Sequence, residues 1–196
     1  MMNDKDSYAV QFAMAIFASL LLVGSFKANQ YLDEIMLYAP GVSLIFVPAG
    51  VKLLCILVGG LPAAVGVYFG SVYLSTLMWT QVPSLGNMFM ALIAVVTYGL
   101  AVHLVMQKCR IKNDLSNLSY WHVIWLSAAA SLLNGFGLNI AYFSQGVTSA
   151  SEFFGKSTAM AFGDFLGCFV VVTLFTIVIR TVKSLRKKAI SVNRLY

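Results

Sequence analysis

The chain has 196 residues, of which 60% are hydrophobic and 10% are charged, and its net charge is +6. Soluble domains carry about 25% charged residues, so this composition excludes an ordinary soluble domain and predicts a polytopic helical membrane protein. The basic residues gather beside apolar runs without interleaved aromatic residues. They therefore indicate membrane orientation rather than a nucleic-acid surface.

Several uncharged apolar runs approach or exceed the roughly 20 residues that a transmembrane helix needs. They predict six spans, in chain order at residues 8–26, 38–58, 61–77, 87–107, 121–143 and 158–181. The loop at 108–112 and the segment after residue 181 are basic, so both should be cytoplasmic. We predict an all-α bundle over residues 1–182 with both termini in the cytoplasm, and a basic cytoplasmic tail over residues 183–196.

Proline and glycine interrupt the second and third apolar runs. Pro48 predicts a kink or an unwound piece in the second span, because proline removes a backbone donor and clashes with the preceding turn. Gly59, Gly60 and Pro62 predict a tight turn into the third span.

Two pairs of glycines, Gly66 with Gly70 and Gly163 with Gly167, have the small-xxx-small spacing. This spacing gives a helix a flat face that another backbone can approach closely. We therefore predict helix packing at both faces.

Two charged residues lie inside predicted spans, where a charge is costly. At 1.5 Å per residue, Lys52 and Asp164 should differ in depth by about 8 Å in a core about 30 Å thick. We predict that they form or share a buried polar site. The alternative is separate partners, with Lys52 reaching to the inner interface and Asp164 bonding to neighbouring hydroxyl groups or to water.

Other polar residues have two interpretations each. Asn134 and Asn139 either line the same site or join helices, and Glu152 is expected to be a solvated loop acid. His103 and His122 flank the basic loop and are expected to be interfacial, although two histidines on adjacent spans also suit haem or a metal. No catalytic, phosphate-binding or metal-binding motif is present, so we predict neither an enzyme nor a cofactor.

Three patches resemble the MASE-type family of bacterial membrane-associated sensors. They are FVPAGVKLLCILVGGLPAAVGVYFGSVY, SLGNMFMALIAVVTYGLAVHLVMQK and AFGDFLGCFVVVTLF. They follow the family's order and cover about half of the chain. The resemblance implies an inner-membrane sensory module that usually reports to a fused cytoplasmic kinase, cyclase or phosphodiesterase.

Seven residues of this chain match motif positions of the family: Pro48, Gly50, Gly59, Asn87, Gly163, Asp164 and Gly167. The chain departs from the family at Lys52, has about two spans fewer than the usual sensor region, and has no output domain after its last span. A sensor of this kind would need a separate signalling protein, a membrane complex or a second copy of itself as its partner.

The sequence as a whole therefore predicts a non-enzymatic membrane sensor that binds a small ligand or a membrane partner. The expected binding residues are Pro48, Gly50, Lys52, Asn134, Asn139 and Asp164, with packing supplied by Gly59, Gly66, Gly70, Asn87, Gly163 and Gly167. A helix opening at Pro48 would offer backbone donors to an anion, assisted by Lys52. The alternatives are a small-solute transporter, or its substrate-capturing subunit, and a structural subunit of a membrane complex.

Overall fold

A computed structural model describes residues 4–39 and 42–192, with the side chains of 4–6, 39, 180 and 183–192 left out. Its elements are α1 Asp4–Met36, β1 Leu37–Ala39, β2 Val42–Ser43, α2 Val47–Met78, α3 Ser84–Lys108, α4 Tyr120–Ser144 and α5 Ala150–Val192. The two short strands pair antiparallel. The side chains of the predicted basic tail at 183–196 lie outside the described residues.

Within residues 4–39 and 42–192, five helices are long and apolar enough to cross a membrane. These segments are Ser7–Met36, Val47–Met78, Ser84–Lys108, Tyr120–Ser144 and Ala150–Ile179. The predicted fold is thereby confirmed as a helical bundle of multi-pass membrane type, with five long helices where the sequence predicts six spans.

The difference in number arises in α2, which folds back on itself at Gly60. This residue has φ 57° and ψ −141°, which no helix contains. Lys52 and Ser75 line one cavity, whereas a straight helix would hold them about 35 Å apart. We call the two arms α2a (residues 47–59) and α2b (residues 61–78). At 1.5 Å per residue α2a reaches only about 20 Å.

The arms alternate in direction along the chain. Asn29 of α1 contacts Val47 and Met14 lies beside Gly59, so α1 and α2a run antiparallel. A Cβ on Gly86, near the start of α3, would meet the side chain of Gln145, which follows the end of α4, so α3 and α4 also run antiparallel. The start of α1, the turn at Gly60, the loop at 109–119 and the end of α5 therefore lie at one end of the bundle.

Glycines form the close helix contacts that the sequence predicts. A Cβ on Gly66 would meet the backbone oxygen of Ala15, and a Cβ on Gly70 would lie 3.2 Å from the Ser19 hydroxyl. Helix α1 therefore packs on the Gly66–Gly70 face of α2b. Gly59 packs at the reversal, 3.1 Å from the Cε of Met14 by the same measure.

Asn87 joins α2b to the start of α3. Its Oδ1 accepts a hydrogen bond from the Ser75 hydroxyl at 2.7 Å, and its Nδ2 donates to the Val82 carbonyl at 3.2 Å. The predicted packing role of Asn87 is thus carried out by hydrogen bonds across the connection between the two helices.

Replacing Gly60 with alanine should destabilise the protein by about 1–3 kcal/mol, because its backbone conformation is nearly restricted to glycine. A Cβ at Gly60 would meet no atom within 4 Å, so the loss would come from the backbone alone. Gly99→Ala, also in open space but within a regular helix, is the control and should not lose stability. Equal melting temperatures for the two variants in detergent would show that α2 does not reverse at Gly60.

Candidate functional site

An extended segment, residues 42–46, packs against α5, with Val42 and Ser43 buried and Leu44 36% exposed. Cβ atoms on Gly163 and Gly167 would collide with the backbone oxygens of Ser43 and Phe46. The Phe46 backbone N–H donates to the Gly163 carbonyl at 3.1 Å. Non-helical backbone at membrane depth must be covered by protein or line a cavity. The glycine face of α5 covers the backbone of this segment.

Helix α2a begins at the end of this segment, and Pro48 stands in its first turn. The Val47 N–H donates to Oδ1 of Asn29 at 2.9 Å, and the Ala49 N–H donates to the Phe46 carbonyl at 3.0 Å. Pro48 has no N–H. The first three residues of α2a therefore present no free backbone donor to an anion, unlike the arrangement that the sequence predicts.

Asn29 is a capping residue that the sequence analysis misses. It is 1% exposed, and its Nδ2 donates to the Asp33 carboxylate at 2.9 Å. Its partner Val47 is 18 positions away, so no local capping pattern could reveal it.

Replacing Asn29 with alanine should destabilise the protein by about 1–2 kcal/mol, the upper range for the loss of an N-terminal cap. Ser25→Ala is the control, because the Ser25 hydroxyl bonds only within its own helix, to the Leu22 carbonyl. Thermal unfolding in detergent would measure both. A loss at Asn29 no larger than the loss at Ser25 would contradict the capping role.

Lys52 lies one turn beyond Pro48 and is 8% exposed. Its Nζ is 5.9 Å from the ring centroid of Phe46 and 5.8 Å from that of Tyr98. Ring faces attract a cation at such distances. Among the described residues its ammonium has no hydrogen-bond acceptor and no ion-pair partner, so its three N–H donors are unused.

Asp164 is 1% exposed and lies on α5. Its Oδ2 accepts hydrogen bonds from Nδ2 of Asn134 at 2.6 Å and from the Tyr98 hydroxyl at 3.3 Å. Oδ1 of Asn134 in turn accepts from the Thr97 hydroxyl at 3.2 Å. The other carboxylate oxygen, Oδ1 of Asp164, has no donor in reach within the described part of the chain.

Lys52 and Asp164 line one cavity of about 80 Å³. A water molecule needs about 10–15 Å³ of such space, so the cavity has room for several waters or for a small ligand. The two charges do not form a direct ion pair; Tyr98 contacts both residues, with its ring towards Lys52 and its hydroxyl on Asp164. Ser71 also lines the cavity, and its buried hydroxyl has no partner among the described residues.

The structure gathers four of the six predicted binding residues around this cavity: Pro48, Lys52, Asn134 and Asp164. Gly50 instead packs against the Gly167 carbonyl and Val171. Asn139 is not part of the lining, because its Nδ2 donates to the Gly135 carbonyl at 2.7 Å and contacts the Met160 sulfur at 3.5 Å. Asn139 thus joins α4 to α5.

The remaining polar candidates lie elsewhere. Nδ1 of His122 accepts from the Ser119 N–H at 3.2 Å, which caps the start of α4. Glu152 pairs with Lys156 at 3.3 Å near the start of α5. Within residues 4–39 and 42–192, no three histidine, cysteine or acidic residues are placed to hold a metal ion together.

Comparison of the chain with protein-family models, with curated proteins and with solved structures gave no significant match. The resemblance to the MASE-type sensors therefore stays a prediction, and the argument for function depends on the cavity itself.

Proposed function

We propose that this chain is a non-enzymatic membrane sensor that binds a small polar ligand in the cavity between Lys52 and Asp164. The observation that carries the proposal is the buried ammonium of Lys52, which faces the cavity without a hydrogen-bond or ion-pair partner among the described residues. Intramembrane charges are costly and are characteristic of ligand or ion sites. A ligand that satisfies Lys52 would recover part of this cost.

The proposal places the protein in a bacterial inner membrane, crossed six times, with α2a and the extended segment before it forming one broken crossing. Both termini then lie in the cytoplasm together with the loop that carries Lys108, Arg110 and Lys112. The alternation of the helical arms and the positive-inside rule support this orientation.

Ligand binding would be transmitted through α2a and α5. The cavity touches both, and the contact between Gly50 and Gly167 couples them directly. A ligand that favours one packing of these helices shifts the population towards it. The signal would leave the membrane along α5, whose helix continues to Val192, and reach a separate signalling protein, a membrane complex or a second copy of the chain.

A broad library of small polar metabolites tests this function by thermal unfolding of the full chain in detergent. At least one compound should raise the melting temperature of the wild type, and Lys52→Met should abolish that rise. Lys156→Met is the matched control, because Lys156 lies outside the cavity and pairs with Glu152. If no compound in the library gives a Lys52-dependent rise, the proposed function is wrong.

The start of α2a inside the bundle favours a second candidate, a small-solute transporter or its substrate-capturing subunit. Broken helices with midplane sites are typical of transporters. Uptake of the identified ligand into proteoliposomes that contain only this chain would favour the transporter, and binding without uptake would favour the sensor.

A further inference from the structure

We infer that the cavity takes a small zwitterion of the α-amino-acid class, with the ligand carboxylate at Lys52 and the ligand ammonium at Asp164. This inference rests on the proposed function, since it names the ligand of the same site. It starts from the presence of one unused cation and one partly used anion on the walls of one cavity.

The hydrogen-bonding capacity left over at the two charges is complementary to a zwitterion. Lys52 has unused donors, and Oδ1 of Asp164 is an unused acceptor. A ligand with only a negative charge would satisfy Lys52 and add a repulsion at Asp164. A ligand with only a positive charge would do the reverse. A ligand with both charges can form hydrogen bonds with both Lys52 and Asp164, and it adds no net charge to a site of low polarity.

A second donor for the ligand carboxylate is the hydroxyl of Ser71. This side chain is 8% exposed, lines the cavity and has no partner among the described residues. The backbone donors of Val47 and Ala49 are already used. Lys52 and Ser71 are unused donors on the cavity wall that an anionic group can engage.

The rest of the lining limits the side chain of the ligand. Leu74, Met90, Leu138 and Met160 supply apolar walls. The volume of about 80 Å³ corresponds to about five to eight water positions, and so to a ligand with a similar number of heavy atoms. The smallest amino acids, glycine, alanine and serine, suit this space, whereas a large aromatic amino acid does not.

The test measures the melting temperature of the full chain in detergent with a matched set of probes. L-alanine carries both charges, propionate lacks the ammonium, ethylamine lacks the carboxylate, and L-tryptophan carries both charges with a large side chain. L-alanine at a hundredfold excess over its Kd should raise the melting temperature by about 5 °C or more. Propionate, ethylamine and tryptophan should give no rise.

Variants assign the effect to the site. Ser71→Ala should weaken alanine binding about tenfold, the typical effect of losing one hydrogen bond to a charged group. Asp164→Asn should abolish the response, and Glu152→Gln, outside the cavity, should preserve it. Ser71→Ala removes a hydroxyl that has no hydrogen-bond partner among the described residues. This variant should therefore fold, and it still tests the site if Asp164→Asn fails to fold.

The outcomes separate this inference from the proposed function. A rise with propionate or ethylamine equal to the rise with alanine would overturn the zwitterion and leave the binding function standing. A Lys52-dependent rise with a library compound of another class would do the same. No rise with glycine, alanine or serine would also overturn the inference, and the metabolite library would then decide the proposed function independently.

Discussion

Replacing Gly167 with alanine should lower the stability of the protein by about 3 kcal/mol, the upper range for overpacking. The added Cβ would collide with the Phe46 carbonyl oxygen and would also lie 3.1 Å from the Val47 nitrogen. Backbone atoms cannot rotate away as a flexible side chain can. For a chain of this length the loss corresponds to about 6–12 °C in melting temperature. Gly163→Ala should behave alike, because its Cβ would meet the Ser43 carbonyl.

Gly24→Ala is the matched control for both substitutions. Gly24 lies within α1, and a Cβ there would meet no atom within 4 Å. Alanine is the better helix former, so this variant should be equal to the wild type or more stable by up to about 1 kcal/mol. If Gly167→Ala and Gly24→Ala have the same melting temperature, the extended segment at 42–46 does not lie on α5.

Replacing Asp164 with alanine should cost about 2–6 kcal/mol, because it leaves two buried donors without an acceptor and each such group costs about 1–3 kcal/mol. The change leaves the Lys52 ammonium without its neighbouring negative charge. It also removes the acceptor of Asn134 Nδ2 and of the Tyr98 hydroxyl. Asp164→Asn keeps an acceptor oxygen and should lose less stability than Asp164→Ala.

Glu152→Ala is the control for the loss of a carboxylate. Glu152 pairs with Lys156 one turn along an exposed helix face, and such surface pairs contribute little. Its melting temperature should stay close to that of the wild type. Equal melting temperatures for Asp164→Ala and Glu152→Ala would show that Asp164 is not held in a buried network.

Helices α3 and α4 were predictable because their ends carry local signals, whereas α1 and α5 extend well beyond the predicted spans 8–26 and 158–181. The predicted spans at 87–107 and 121–143 differ from α3 and α4 by one to three residues at each end. Gly59, Gly60 and Pro62 likewise indicated the reversal in α2. Pro48 predicts an interruption of the second span, and α2a begins beside it. The extended segment before Pro48 was not predictable, because an extended segment packed on a glycine face is as apolar as a helix. Only its contacts with Gly163 and Gly167 distinguish the two.

Two residues of the site were predictable from the free-energy cost of placing a charge inside a membrane span. Lys52 and Asp164 stand out because charges are rare in spans, whereas Tyr98 and Ser71 are ordinary polar residues until their neighbours are known. Asn134 and Asn139 are five residues apart, which places them about 140° apart around a helix. Helical geometry thus explains why one lines the cavity and the other joins α4 to α5.

A double-mutant cycle in thermal or denaturant unfolding would show whether Lys52 and Asp164 belong to one site. The variants are Lys52→Met, Asp164→Asn and the combination of both in the full chain. We predict that each single variant is destabilised and that the double variant is more stable than the summed losses imply, by about 1 kcal/mol or more. If the losses of stability simply add, the two charges interact with different partners, and the proposal of a shared site is wrong.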